Sequence, residues 1–196
     1  MSKTEQVLQG NNVERILQET GALLTGHFQL TSGRHGAQYM QCAKVLQYPE
    51  HTAYIAKILA QKFEGEDVDI VLAPAVGGIV LGYELARALG AKSVFAERED
   101  GKMTLRRGFE IPKRAKVVIA EDVVTTGGST REVMAIAKEY GANILGTCAM
   151  VDRSGGALDF GVKFVAAYST NIASYAPDEC PLCKEGLPIV KPGSRK

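Results

Sequence analysis

The stretch that decides the fold is residues 116–130, which read KVVIAEDVVTTGGST. Its first part, residues 116–120, is short and apolar, which predicts a buried strand. Its last residues combine a Gly-Gly pair with hydroxylated side chains, and a helical pattern begins at Ser129. Ser129 and Glu132 have the spacing of a capping box. A strand, a tight turn and a helix over 129–140 are therefore expected in that order.

The rest of the chain repeats this alternation. A helix over 11–20, two short strands within 26–42 and a helix from Pro49 to Gly65 come first. Further strands are predicted at 68–73, 93–97, 144–151 and 162–168, with a helix at 79–89. Apolar strands that alternate with amphipathic helices predict an α/β fold with a mostly parallel central sheet flanked by helices. Ligands of such sheets bind beyond the carboxyl ends of the strands.

Composition limits the function classes. The 196 residues are 45% hydrophobic and 23% charged, which favours a globular domain. Lys and Arg number 23 against 22 Asp and Glu, for a net charge of +1, which argues against broad nucleic-acid binding. The polar N-terminus and the broken apolar runs predict no membrane span and a cytoplasmic location, where the four cysteines stay reduced.

Residues 121–130 predict a site for a phosphorylated sugar. The paired glycines let backbone N–H groups converge on an anion, and the helix N-terminus adds its dipole. The lysine of a Walker loop is absent. Glu121 and Asp122 would repel a polyphosphate chain, but they suit sugar hydroxyls or a hydrated Mg²⁺. The alternative is an ordinary surface turn with serine capping.

This decapeptide resembles the motif of type I phosphoribosyltransferases that binds phosphoribosyl pyrophosphate (PRPP). The resemblance implies Mg²⁺, held through PRPP and water without a firm protein ligand, and acids that bind the ribose hydroxyls. The PRPP-binding residues it implies are Glu121, Asp122, Val123, Val124, Thr125, Thr126, Gly127, Gly128 and Ser129, together with Val76, Gly77, Arg98 and Lys102.

Two other segments resemble the orotate phosphoribosyltransferases. Residues 28–34 are similar to their N-terminal hood, and residues 150–153 to a strand end whose arginine contacts orotate. Arg153 and Thr125 are thereby implied as orotate-binding residues, and a guanidinium suits a ligand with a carboxylate and carbonyls. The alternative for Arg153 is a surface arginine paired with Asp152. Many members of the family carry Lys where Thr31 and Gly77 stand here.

The cationic segment 98–108 resembles the mobile catalytic loop of the same family. It is dense in charge and contains two glycines, which predicts a mobile excursion. The resemblance implies Arg98 and Lys102 as its cationic pair, a homodimer, and a loop that reaches the partner's site. Thr104 stands near the family's usual histidine. The alternative is a solvated charged loop. The loop Pro74–Gly78 resembles the family's pyrophosphate loop, and its alternative is a plain glycine-rich turn.

The expected activity is transfer of the phosphoribosyl group of PRPP to orotate, in pyrimidine biosynthesis, with Lys102, Arg98, Glu121 and Asp122 as catalytic residues. Two alternatives remain: a purine phosphoribosyltransferase and a non-catalytic PRPP-sensing regulator. The expected organisation is one domain over residues 1–170, with a hood at 11–45 and an extended tail at 171–196.

The tail carries a Cys-x-x-Cys pair, Cys180 and Cys183, with the spacing of zinc ligands. One such pair is half a structural site, so two copies could complete it across a dimer. His27, His35 and His51 are scattered in the sequence, and none is expected to be catalytic; surface placement is expected for His35.

Overall fold

The computed structural model of the chain describes residues 12–30, 33–171 and 173–192, so Thr31 and Ser32 of the hood lie outside the described residues. The chain begins with the hood and its supporting helices: α1 (residues 12–19), β1 (Leu23–Gln29), β2 (His35–Met40), α2 (Ala43–Leu46), α3 (Pro49–Ala60) and a 3₁₀ turn (Gln61–Phe63). The central part follows: β3 (Ile70–Pro74), α4 (Gly77–Leu89), β4 (Lys92–Glu99), β5 (Lys102–Leu105), β6 (Lys116–Val124), α5 (Gly128–Glu139), β7 (Asn143–Asp152) and β8 (Lys163–Ser169). The chain ends with β9 (Ser174–Tyr175) and α6 (Pro181–Lys184).

The central sheet has six strands in the order β5-β4-β3-β6-β7-β8. All neighbours are parallel except the edge strand β5, which is antiparallel to β4. The predicted α/β fold with a mostly parallel sheet flanked by helices is therefore confirmed. The chain runs from β3 to β4 on one side and from β6 to β7 on the other. The crevice between β3 and β6 is thus the point where the strand order reverses, which is where such sheets bind ligands.

The sheet is buried on both faces, as its strands alternate their side chains between two cores. Val118 and Ala120 of β6 belong to the core formed with α1, α3 and α4. Val117 and Ile119 of the same strand belong to the core formed with α5. Because both faces are covered, the open surface of the sheet is at its strand ends.

Two local expectations differ from the structure. Strand β6 runs four residues further than the predicted 116–120, to Val124, so the two acids lie on the end of the strand and not in the turn. The segment 98–108, expected as a mobile excursion, contains β5 and the last two residues of β4, which form a hairpin. Asp100 (φ 50°) and Gly101 (φ 82°) make its two-residue turn, and an Asp-Gly pair favours such turns because both positions need positive φ.

The tail also differs from the extended segment that was expected. Strand β9 joins β1 and β2 in a three-stranded hood sheet. Further along, the N–H of Gln29 donates to the carbonyl of Val190 at 2.8 Å, and the N–H of Val190 donates to the carbonyl of His27 at 2.8 Å. The proline-rich sequence of the tail gave no signal of this packing, because the partners are hood residues more than 130 positions earlier. The tail is therefore packed against the hood.

Candidate active site

Three strand ends of the central sheet meet at the switch point. At the end of β3, a Cβ atom added to Gly77 would lie 2.6 Å from Oδ2 of Asp122, so the glycine loop touches the acid pair on β6. At the end of β7, the N–H of Arg153 donates to the carbonyl of Val124 at 2.8 Å. The Ala75–Val76 peptide between β3 and α4 is cis. Segments that are far apart in sequence thus border one crevice.

The turn after β6 forms the wall of a cavity of about 570 Å³. Every residue from Glu121 to Thr130 lines it, together with Arg98 and Glu132. Thr125 and Thr126 are exposed within this lining, so their hydroxyls can reach a ligand. A volume of this size suits a small molecule such as a sugar phosphate.

Glu121 is buried and Asp122 is half-buried, and within the part of the chain that the structure describes no ion pair joins either carboxylate to a cation. Glu121 is 8% exposed, and burial, with the charge of Asp122 as a second cause, raises the pKa of its carboxyl from 4.5 to about 9. Burial also raises the pKa of Asp122. The N–H of Val123 donates to Oδ1 of Asp122 at 2.9 Å, and the N–H of Asp122 donates to Oε1 of Glu121 at 3.3 Å. Their remaining lone pairs can accept hydroxyl donors or face a cation.

Helix α5 begins at the cavity without a side-chain cap. The predicted capping box of Ser129 and Glu132 is therefore wrong. The carboxylate of Glu132 instead forms an ion pair with the guanidinium of Arg98, with 2.6 Å between Oε2 and Nη2. Gly127 occupies the N-cap position in the left-handed conformation, with φ 75°, and has no side chain to cap the helix. A Cβ there would lie 2.8 Å from the ring of Phe160, so a glycine is needed for both reasons. The uncapped N-terminus leaves backbone donors for an anion.

The two implied cations have different surroundings. Arg98 lines the cavity, and its guanidinium also donates to the carbonyl of Gly101 at 2.7 Å. Lys102 is exposed at the start of β5 and is not among the residues that line the cavity. Thr104 donates from its hydroxyl to the carbonyl of Lys102 at 3.3 Å. The hairpin thus holds Arg98 at the site and Lys102 in solvent.

Arg153 is not a surface arginine paired with its neighbour. Its Nε is buried and has no hydrogen-bond partner among the described residues. Burial lowers the pKa of the guanidinium. The carboxylate of Asp152 instead accepts the N–H of Ser154 at 2.7 Å. A buried donor of this kind costs free energy until an acceptor reaches it.

Sequence reasoning missed two neighbours of the site. The thiol of Cys42 donates to the carbonyl of Asp122 at 3.8 Å, and Glu132 holds Arg98. Neither contact has a local signal, since each joins residues more than 30 positions apart. Cys180 and Cys183 are not part of this cavity; they lie beside His27 and His35 of the hood.

Fold and site together define a phosphoribosyltransferase. Residues 42–172 match the family described as the phosphoribosyl transferase domain. The orotate phosphoribosyltransferase of Pelotomaculum thermopropionicum is 52% identical over 186 residues, which are 95% of this chain and 98% of the relative. That of Chlorobium phaeobacteroides is 54% identical over 180 residues, covering 92% of this chain and 93% of the relative.

Among solved structures, the orotate phosphoribosyltransferase from Aeropyrum pernix is similar, with a TM-score of 0.68 and 26% identity, covering 80% of this chain and 93% of that one. This chain belongs to the phosphoribosyltransferase family and, within it, to the orotate phosphoribosyltransferases. Of the helices described, none has the length and apolar character needed to cross a membrane.

Proposed function

We propose that this protein transfers the 5-phosphoribosyl group of PRPP to a ring nitrogen of orotate, giving orotidine 5′-monophosphate and pyrophosphate in cytoplasmic pyrimidine (UMP) biosynthesis. The bond between C1 of the ribose and the pyrophosphate oxygen breaks, and a bond from C1 to nitrogen forms. One observation carries the proposal: a buried acid pair and an uncapped helix N-terminus line the same cavity.

The acid pair would bind the ribose, and the turn would bind its phosphate. Glu121 and Asp122 would accept hydrogen bonds from the 2′- and 3′-hydroxyls. Burial raises the pKa of both carboxyls, and these hydrogen bonds would stabilise their charged forms when the sugar is bound. The backbone of Gly127 to Ser129 and the threonine hydroxyls would hold the 5′-phosphate. With both ends of the ribose fixed, the carboxylates also face the positive charge that develops at the ring as the C1–O bond breaks.

The pyrophosphate would lie at the loop of Val76 and Gly77, next to Asp122. The lack of a Cβ at Gly77 keeps that carboxylate in place and leaves room for the leaving group. Mg²⁺, bound through PRPP and water with Asp122 nearby, would neutralise charge on the leaving group. The acid pair, which forms no ion pair with any described side chain, fits such an ion. Arg98, already in the cavity lining, adds a second positive charge.

Arg153 would select orotate. Its buried, unpartnered Nε offers a directed donor to the carboxylate or a carbonyl of the base. A purine lacks the carboxylate and would leave this charge uncompensated. Thr125, exposed in the cavity lining, would lie near the base.

We further propose a homodimer in which Lys102 acts at the partner's site. The lysine is exposed on the hairpin, as a residue that works in the other subunit would be. Two exposed apolar side chains one helical turn apart on α4 support a partner: Val80 and Tyr83 are 44% and 61% exposed. Closure of the hairpin would exclude water from the reacting ribose.

Turnover with PRPP and Mg²⁺ tests the proposal when orotate is compared with adenine, guanine, hypoxanthine and uracil. Nucleotide and pyrophosphate should form with orotate and not with the other bases. Faster turnover with a purine would identify a purine phosphoribosyltransferase. PRPP binding without turnover of any base would identify a regulator. Either result would refute the assignment.

A further inference from the structure

Four side chains with metal-binding atoms converge where the hood meets the tail. His27, His35, Cys180 and Cys183 each offer one ligand atom, and these atoms lie within 4.8 Å of one another. His27, His35 and Cys180 are buried, and Cys183 is exposed. They come from β1, β2 and both ends of the first turn of α6, so the cluster is built by tertiary structure.

The polar contacts of this cluster converge on one nitrogen of His27. Nδ1 of His27 lies 2.8 Å from the carbonyl of Leu187, which can only accept, so Nδ1 carries the proton and Nε2 holds the lone pair. Three groups surround that single lone pair: Nδ1 of His35 at 3.2 Å, Sγ of Cys180 at 3.6 Å and Sγ of Cys183 at 3.7 Å. One lone pair accepts one good hydrogen bond, whereas a cation at the centre would bind all four atoms.

Four of the six separations among these atoms are close to those around a tetrahedral zinc ion. With Zn–N of about 2.05 Å and Zn–S of about 2.3 Å, tetrahedral angles place two nitrogens about 3.3 Å apart and a nitrogen and a sulfur about 3.6 Å apart. The two imidazole nitrogens are 3.2 Å apart, and three of the four nitrogen–sulfur distances are 3.2, 3.6 and 3.7 Å. Four of the six pairs are thus already at ligand spacing, and no pair of the four atoms is more than 4.8 Å apart.

The surroundings also resemble those of a metal site. The carbonyl of Leu187 fixes the tautomer and orientation of His27, the usual task of an outer group around a metal-bound histidine. The register of β1 and β2 shifts between Thr25 and Phe28, so His27 lies at a bulge, and bulges redirect side chains. Two thiolates and two imidazoles favour zinc over Mg²⁺ or Ca²⁺, which prefer oxygen ligands.

We propose that His27, His35, Cys180 and Cys183 of one chain bind a structural Zn²⁺ that joins the hood to the tail. All four positions are filled by protein, which makes the site structural and not catalytic. The site is completed within one chain, in place of the dimer-bridging pair expected from the sequence. His27 and His35 flank residues 28–34, so the ion would hold both ends of that hood segment against the tail.

Elemental analysis of the full chain, purified without chelators, tests this site independently of any activity. About one zinc per chain is expected, and Cys183→Ser and His35→Asn should each lose most of it. Cys148→Ala and His51→Asn remove a cysteine and a histidine outside the cluster and should keep the zinc. Circular dichroism identifies any variant that fails to fold, and stoichiometric titration of zinc into metal-free wild-type protein then provides the second measurement.

The outcomes are distinct. Treatment with a zinc chelator should lower the Tm of the wild-type protein. The same treatment should leave the Tm of Cys183→Ser and His35→Asn unchanged, because these variants have no ion to lose. No zinc in the purified protein, together with no one-to-one binding in the titration, would overturn the proposal. About one zinc per two chains would also overturn it, since that ratio belongs to a site shared across a dimer.

Discussion

Gly77→Ala adds one methyl group at the most crowded point of the site. The new Cβ would lie 2.6 and 2.7 Å from the two carboxylate oxygens of Asp122 and 2.8 Å from its Cγ. At these distances the atoms would overlap, so the side chain of Asp122 must rotate away. The rotation would break its 2.9 Å hydrogen bond from the N–H of Val123 and would move the carboxylate away from the proposed ribose position.

The magnitude follows from the contacts that are lost. A hydrogen bond to a charged group contributes about 1.5–3 kcal/mol, and about 1.4 kcal/mol corresponds to a tenfold change in binding. The KM for PRPP should therefore rise about 10- to 100-fold. The free energy of unfolding should fall by no more than about 1.5–3 kcal/mol for the lost hydrogen bond, because position 77 is the first residue of α4 and alanine favours a helix over glycine.

Steady-state kinetics with each substrate varied in turn measure this effect. The KM for PRPP should rise while the KM for orotate stays close to that of the wild type. Arg87→Ala is the control, since Arg87 lies in the last turn of the same helix and its side chain is 64% exposed. An unchanged KM for PRPP in a folded Gly77→Ala variant would refute the contact between the glycine loop and the acid pair.

Three other substitutions test single roles. Glu121→Gln should raise the free energy of unfolding at pH 8 by up to a few kcal/mol and change it little at pH 4. The reason is that the pKa of Glu121 is about 9 in the folded protein and 4.5 ordinarily, so its carboxyl destabilises the fold as pH rises through that interval. Urea denaturation at both pH values measures this, and equal gains at the two pH values would contradict it. Arg153→Ala should raise the KM for orotate at least about tenfold and leave that for PRPP unchanged; a reversed pattern would remove Arg153 from the base site. Lys102→Ala should lower kcat far more than it weakens PRPP binding, and unchanged turnover would exclude this lysine from the mechanism.

The turn between β6 and α5 could be predicted from the sequence because its signals are local. Glycines, hydroxyls and acids stand within ten consecutive residues, and their types alone indicate an anion and a sugar. The end of strand β6 could not be predicted in the same way. β6 continues to Val124 because pairing with β7 extends to Asp152, a tertiary effect that outweighs the polar character of Glu121 and Asp122.

Contacts between distant segments could not be predicted. Glu132 has the sequence spacing of a capping residue, but Arg98, 34 positions earlier, competes for its carboxylate and binds it. The hairpin at Asp100 and Gly101 did have a local signal, a turn pair between strands, which the charge density obscured. His27 and His35 meet Cys180 and Cys183 only because the tail packs on the hood.

A crystal structure of the protein with PRPP and Mg²⁺ is the most direct test of the central claim. The ribose hydroxyls should lie within hydrogen-bonding distance of Glu121 and Asp122, with the 5′-phosphate against the backbone of residues 125–129. PRPP bound at another surface, with residues 121–130 free of ligand, would contradict it.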